Sequence, residues 1–234
     1  MGSRKQRQKR AEKRKKQQMK QMIIGVSAVA VVVVVALFVY YILLDRTAPL
    51  PDGVDTAYAG LPQTTGNSEN GEPEYVGILG DPTAPIEVRE YSSFACPHCK
   101  DLQSTIKQLE PYIEDGTVKL VFVPIYNIAG LGANEGAKAA ICAGEQGKFF
   151  EMHDVMFYWQ GRENYGTRLI RSAADQLGLD VDTFSDCFNS SRIDRLVREA
   201  SSEFRGRDLT GTPSVFVNGN LSSNLIGDVE ALLN

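Results

Sequence analysis

Cys96-Pro97-His98-Cys99 puts two sulfurs within one helical turn, where an apolar run (Ile86 to Phe94) gives way to a helical pattern (Cys99 to Ile113). That spacing suits dithiol chemistry, since the second thiol must reach the first to displace a mixed-disulfide partner. A cysteine opening a helix faces unpaired backbone N–H groups and the positive end of the dipole, which favour its thiolate. Pro97 fits the first helical position, where its missing N–H costs nothing. His98 adds a ring able to carry positive charge beside the same sulfur. Cys96 is therefore the candidate nucleophile and Cys99 the candidate resolving thiol. A zinc site would need a second ligand pair. The other two cysteines, Cys142 and Cys187, stand singly, and the chain has 2 histidines. No metal site is expected.

The elements around this pair read as α/β. Ile86 to Tyr91 is a predicted strand, Cys99 to Ile113 a helix with Leu102, Ile106, Leu109 and Ile113 on one face, and Val118 to Pro124 a second strand. A strand–helix–strand order implies a crossover and parallel pairing. A helical tract follows: Asn134 to Ala143, Lys148 to Trp159, Arg168 to Leu177, Val181 to Asn189 and Ser191 to Phe204. Ser214 to Val217 is a last strand and Asp228 to Leu233 a last helix. His153, among Phe149, Phe150, Met156 and Phe157, reads as a core histidine with a satisfied ring. Gly130, Gly132 and Gly136 lack the strand–turn–helix setting of a dinucleotide fingerprint. No cofactor is expected.

The net charge of −4 hides a division: residues 1–44 sum to +9 and the rest to −13. Residues 1–21 form a basic tail, expected in the cytoplasm. Residues 22–44 carry no charge and, at ~1.5 Å per residue, are long enough for one transmembrane helix, with Tyr40 and Tyr41 near one end. The positive-inside rule accounts for the basic tail, so no nucleic-acid partner is expected. The chain is read as held in the bilayer by an uncleaved single-pass signal anchor, residues 45–234 lying outside the cytoplasm. Ala57-Tyr58-Ala59 has the form of a cleavage site, but the apolar run is too long for a signal peptide and ends well before it. Residues 45–74, with four prolines among Gly, Ser, Thr and Asn, read as a flexible linker. Residues 75–234 are one domain, with a helical insertion at about 128–205.

Three blocks carry a resemblance: Tyr91-Ser92-Ser93-Phe94-Ala95-Cys96-Pro97-His98-Cys99, then Gly144 to Asp154 (GEQGKFFEMHD), then Gly211-Thr212-Pro213-Ser214-Val215-Phe216-Val217-Asn218-Gly219. In this order they resemble the DsbA-like proteins of the thioredoxin superfamily over roughly residues 77–234. The resemblance implies a thioredoxin-like fold with an inserted helical domain, and thiol–disulfide exchange as the activity. It implies a cis Thr212-Pro213 bond facing the cysteines, with the Thr212 backbone pairing with substrate; read alone, Pro213 is a strand-start proline. It gives Glu90 the place of a buried acid that relays protons for the resolving thiol. Outside the membrane Cys142 and Cys187 are expected to pair, as in family members with a second, structural bridge; two buried free thiols are the alternative. The expected function is an extracytoplasmic dithiol oxidase acting on exported polypeptides with reduced cysteines and reoxidised by a membrane partner of DsbB or VKOR type. A disulfide reductase or isomerase of the same fold, or a non-catalytic binding module or chaperone, are the competing readings.

Overall fold

The computed structural model describes residues 14–16, 18–22, 25, 27, 30–40, 48–54, 57–67, 69–126, 132–163 and 166–233. The chain divides into two compact units, Met1–Arg46 and Thr47–Asn234. In the first, every described residue from 14 to 40 is helical. Of the expected span, residues 23–24, 26, 28–29 and 41–44 lie outside the described residues, as do 1–13 and 17 of the basic tail. Among the described residues no helix is long and apolar enough to cross a membrane.

The second unit is built on a six-stranded sheet of order β1-β2-β4-β3-β5-β6. The strands are β1 (Gln63–Thr65), β2 (Gly77–Leu79), β3 (Ile86–Ser92), β4 (Val118–Pro124), β5 (Ser214–Val217) and β6 (Asn220–Leu221). β3 and β4 are parallel, from Ile86 opposite Val118 to Ser92 opposite Pro124. The other pairings are antiparallel. β4 reads as an apolar run because it lies between two neighbours with little exposed surface.

Between β3 and β4 run α1 (Pro97–Ile106), a 3₁₀ turn (Lys107–Leu109) and α2 (Glu110–Glu114). The expected single helix is thus divided, and Pro111, which has no N–H to give, stands in the first turn of α2. Five helices separate β4 from β5: α3 (Ala133–Gly144), α4 (Phe149–Trp159), α5 (Thr167–Gln176), α6 (Val181–Phe188) and α7 (Ser191–Gly206). Asp180 caps α6 by accepting from the Thr183 N–H at 2.7 Å, and Ser190 caps α7 by accepting from the Ile193 N–H at 3.3 Å. α8 (Leu225–Leu233) closes the chain. Residues 128–131 and 164–165 of the expected insertion lie outside the described residues.

The segment expected to be a linker behaves otherwise. Residues 45–47, 55–56 and 68 lie outside the described residues, but much of the remainder packs on the domain. Ala48 and Val54 are buried, and the Trp159 indole N–H donates to the Pro49 carbonyl at 2.9 Å. The Tyr58 hydroxyl donates to Asp154 at 2.9 Å. Gln63 donates to Glu151 at 2.8 Å and accepts from the Phe150 N–H at 3.1 Å, while its backbone joins β2 as an edge strand. The physical reason is that these contacts use carbonyls, one amide, one phenol and isolated apolar side chains. None of them needs the periodic apolar run by which a packed segment is recognised.

Candidate functional site

β3 ends at Ser92, and a turn carries the chain through Phe94 and Ala95 to Cys96, the N-cap of α1, with Pro97 in the first turn. The Cys99 and Lys100 N–H groups both donate to the Cys96 carbonyl. Phe94 is fully buried. A Cβ on Gly136 of α3 would come within 2.8 Å of Phe94, so glycine permits the close approach of that helix behind the turn.

Cys96 and Cys99 are free thiols in unequal surroundings. The Cys96 sulfur sits 3.3 Å from the Thr212 carbonyl, across 116 positions of sequence. Burial pushes its pKa up, but the Thr212 side chain, the Cys99 backbone N–H and thiol, and the His98 backbone N–H outweigh it, holding Cys96 below the ordinary thiol value. His98 thus acts on the sulfur through its backbone, while its ring lies exposed. Cys99 is fully buried, and burial pushes its pKa up to about 12 against the opposing effects of Ser92, the Ser93 N–H and Thr212. The outer sulfur is the better anion and leaving group; the inner one holds its proton. The Thr212-Pro213 bond is cis.

Glu90 is fully buried on β3, and Gln103 of α1 donates to it at 3.2 Å. Burial raises its pKa, with Ser92, the charge of His153 and Gln103 opposing. Cys142 of α3 and Cys187 of α6 are joined by a disulfide with a Cα separation of 5.8 Å, away from the dithiol. His153 is buried among Phe94, Phe122, Phe150 and Phe157, with ring centroids 4.6–5.7 Å apart. Its Nδ1 lies 2.9 Å from Asp154. Its Nε2 has no partner among the described residues, so the ring is half satisfied rather than fully so.

Three residues at the site carried no recognised signal. Gln160 donates to the Phe94 carbonyl at 2.7 Å and the Cys96 carbonyl at 3.1 Å, tying α4 to the active turn. Nothing local to Gln160 points across 64 residues. Gln103 lies one helical turn beyond Cys99, a spacing that could have drawn attention. Ser92 is fully buried two residues from Glu90, on the same face of the strand. Among the described residues no cluster of three or more His, Cys, Asp or Glu could hold a metal ion.

Residues 73–232 match the family model described as thioredoxin. A probable disulfide bond formation protein D of Bacillus anthracis is 32% identical over 154 residues, covering 62% of this chain and 70% of that protein. The Na(+)/H(+) antiporter NhaA 1 of Salinispora arenicola is 34% identical over 154 residues; the match covers 63% of this chain but spans 22% of that protein's length. Among solved structures, the thiol-disulfide exchange protein α-DsbA2 of Wolbachia pipientis superposes with a TM-score of 0.58 at 21% identity, covering 76% of this chain and 90% of that one.

Proposed function

The chain belongs to the thioredoxin family, in its DsbA-like branch, and on that premise we propose that it is a thiol–disulfide oxidoreductase working as a dithiol oxidase outside the cytoplasm. The observation that carries this reading is the inequality of the two sulfurs, Cys96 held below and Cys99 held well above the ordinary thiol value. Stabilising the Cys96 thiolate stabilises the reduced protein, and a protein stable when reduced gives its disulfide away readily.

In the forward direction a substrate thiolate attacks Cys96 of the Cys96–Cys99 disulfide. The bond between substrate sulfur and Cys96 forms, the Cys96–Cys99 bond breaks, and Cys99 takes the electron pair and then a proton. A second substrate thiolate attacks the first substrate sulfur and expels the Cys96 thiolate. Two substrate thiols are oxidised and one protein disulfide is reduced. Restoring it requires an oxidant, assigned here to a membrane partner of DsbB or VKOR type.

Substrate binding is assigned to Thr212 and Pro213. A 530 Å³ cleft beside them, lined by Leu102, Val215, Leu221 and Leu225, supports an extended polypeptide as the occupant. Placement outside the cytoplasm, with an anchor at 22–44, is supported by the basic residues before it and by Val31 to Val35, Leu37 and Phe38, all at least half exposed. Such a surface is costly in water and favourable in lipid. The redox equilibrium with glutathione tests the direction. A potential near ~ −120 mV is expected, and one near ~ −270 mV would make the protein a reductant.

A further inference from the structure

The cysteine that opens α1 has little to hold it from its own neighbourhood. A Ser, Thr, Asp or Asn at the N-cap pins a helix start by accepting from the first turn. Cys96 makes no such side-chain bond, because its sulfur has to face a substrate. Its N–H donates to the Ser93 carbonyl at 3.0 Å. The firmer hold comes from the far end of α4. Gln160, the C-cap of that helix, donates to the Phe94 carbonyl at 2.7 Å and to the Cys96 carbonyl at 3.1 Å. A side-chain amide has two hydrogens to give, and these two carbonyls take both. They lie on either side of Ala95 and the backbone N–H of Cys96.

α1 returns the grip. Lys100 donates from Nζ to the Gln160 carbonyl at 2.8 Å and from its backbone N–H to the Cys96 carbonyl at 3.3 Å. A cation at the last carbonyls of a helix is favourably placed. The contacts close on themselves: Cys96 carbonyl, Gln160 side chain, Gln160 carbonyl, Lys100 side chain, and back to the Cys96 carbonyl. α4 is seated from behind as well. Trp159, the residue before Gln160, donates to the Pro49 carbonyl at 2.9 Å, so consecutive residues grip the N-terminal segment and the active turn.

We propose that Gln160 is a positioning residue for the dithiol: by clasping the Phe94 and Cys96 carbonyls, with Lys100 closing the clasp, it fixes the Cys96 sulfur against the first turn of α1 and so sets how readily the protein gives up its disulfide. This deepens the oxidase reading above and rests on it for the direction of exchange. The Cys96 carbonyl also receives the Cys99 N–H at 3.1 Å, so the amide that anchors this carbonyl anchors the first turn on it. The His98 and Cys99 N–H groups of that turn favour the Cys96 thiolate, and such interactions weaken steeply as their geometry is lost. A loosened turn therefore destabilises the reduced protein, which then holds its disulfide more firmly.

The test uses the full-length chain and two readouts. One is the equilibrium in which two glutathione thiols become one disulfide as the Cys96–Cys99 bond is reduced to two thiols. The other is the pH midpoint of Cys96 alkylation. Gln160→Met keeps the reach of the side chain and removes both donors. It is expected to raise the Cys96 midpoint and to shift the equilibrium about tenfold toward the oxidised protein, ~30 mV for a two-electron couple. Lys100→Met opens the clasp from the other side, at a half-buried position, and shifts both readouts the same way in about 1 M salt, where charge effects are screened beyond ~3 Å. Because both open one clasp, the double variant falls short of the summed shifts. The Cys142→Ser/Cys187→Ser chain, which loses stability away from the clasp, keeps the wild-type Cys96 midpoint, and a merely structural role for Gln160 would behave as it does. A Gln160→Met chain with the wild-type midpoint and equilibrium overturns the proposal, as do shifts that simply add in the double variant. Should Gln160→Met not fold, an unshifted Lys100→Met overturns it instead. A wild-type equilibrium as reducing as that of thioredoxin overturns the oxidase reading, whereas the clasp is judged on the shifts relative to wild type.

Discussion

The two cysteines differ because they meet different numbers of dipoles and different depths. Cys96 faces backbone N–H groups at the start of α1, whereas Cys99, one turn on, is sealed beneath. A depressed pKa at Cys96 favours the reduced protein at pH values above it, and that advantage is lost as pH falls through it. The rate of Cys96 carbamidomethylation by iodoacetamide is accordingly expected to have its midpoint below the ordinary ~8.5 of a free thiol. A midpoint at that value would remove the basis of the oxidase reading. Glu90 has the opposite sign. A carboxyl raised by burial destabilises the fold at pH above its folded pKa, and the penalty vanishes below its ordinary value of 4.5, where folded and unfolded chains are both protonated. Glu90→Gln is therefore expected to raise the urea midpoint at neutral pH, with the gain shrinking as the solution is acidified. An equal gain at every pH would show that the charge of Glu90 is not the cause.

The helical block and the N-terminal segment hold the active turn from behind. α4 reaches it through Gln160, and α3 packs on Phe94 through Gly136. The Cys142–Cys187 bridge ties α3 to α6 across 45 positions, and a loop of that length confers about 4 kcal/mol in the chain-entropy description. The double variant Cys142→Ser/Cys187→Ser should lose stability of that order in urea unfolding and still exchange disulfides at Cys96. Loss of exchange with retained folding would instead place the second pair in the reaction. Tyr58 matters in the same way to α4. Its hydroxyl donates to the half-buried Asp154, so Tyr58→Phe leaves a carboxylate short of one partner. A loss of about 1.5–3 kcal/mol is expected from a hydrogen bond to a charged group. A solvated tether would give none.

At the scale of the whole molecule the chain comprises two units with contrasting surfaces. The described N-terminal helix exposes valines, Leu37 and Phe38, whereas the unit from Thr47 onward buries most of its large apolar residues in one cluster around the sheet. Removing residues 1–46 is expected to release the remainder from membranes while leaving its urea midpoint unchanged. Sedimentation after alkaline extraction reads the first outcome, and an unfolding curve the second. In whole cells, external protease should digest the C-terminal portion of the full chain. Protection of that portion would reverse the orientation derived from the basic tail.

The three strands β3, β4 and β5 with the helical tract between the last two, the paired cysteines and the break in charge after residue 44 are local properties, set by periodicity, spacing and composition, so the sequence alone determined them. Val118 to Pro124 is apolar but for Lys119 because it is central, and that pattern survives without knowledge of its neighbours. What only the tertiary structure decided is who meets whom. The Thr212 carbonyl reaches Cys96 across 116 positions, and Gln160 reaches the Cys96 carbonyl across 64. Gln103 of α1 reaches Glu90 of β3, and residues that read as a tether become an edge strand and a strap. Each of these contacts rests on one or two polar groups, which leave no period in the sequence. Their energy exists only once the sheet and the helical block have excluded water from around them.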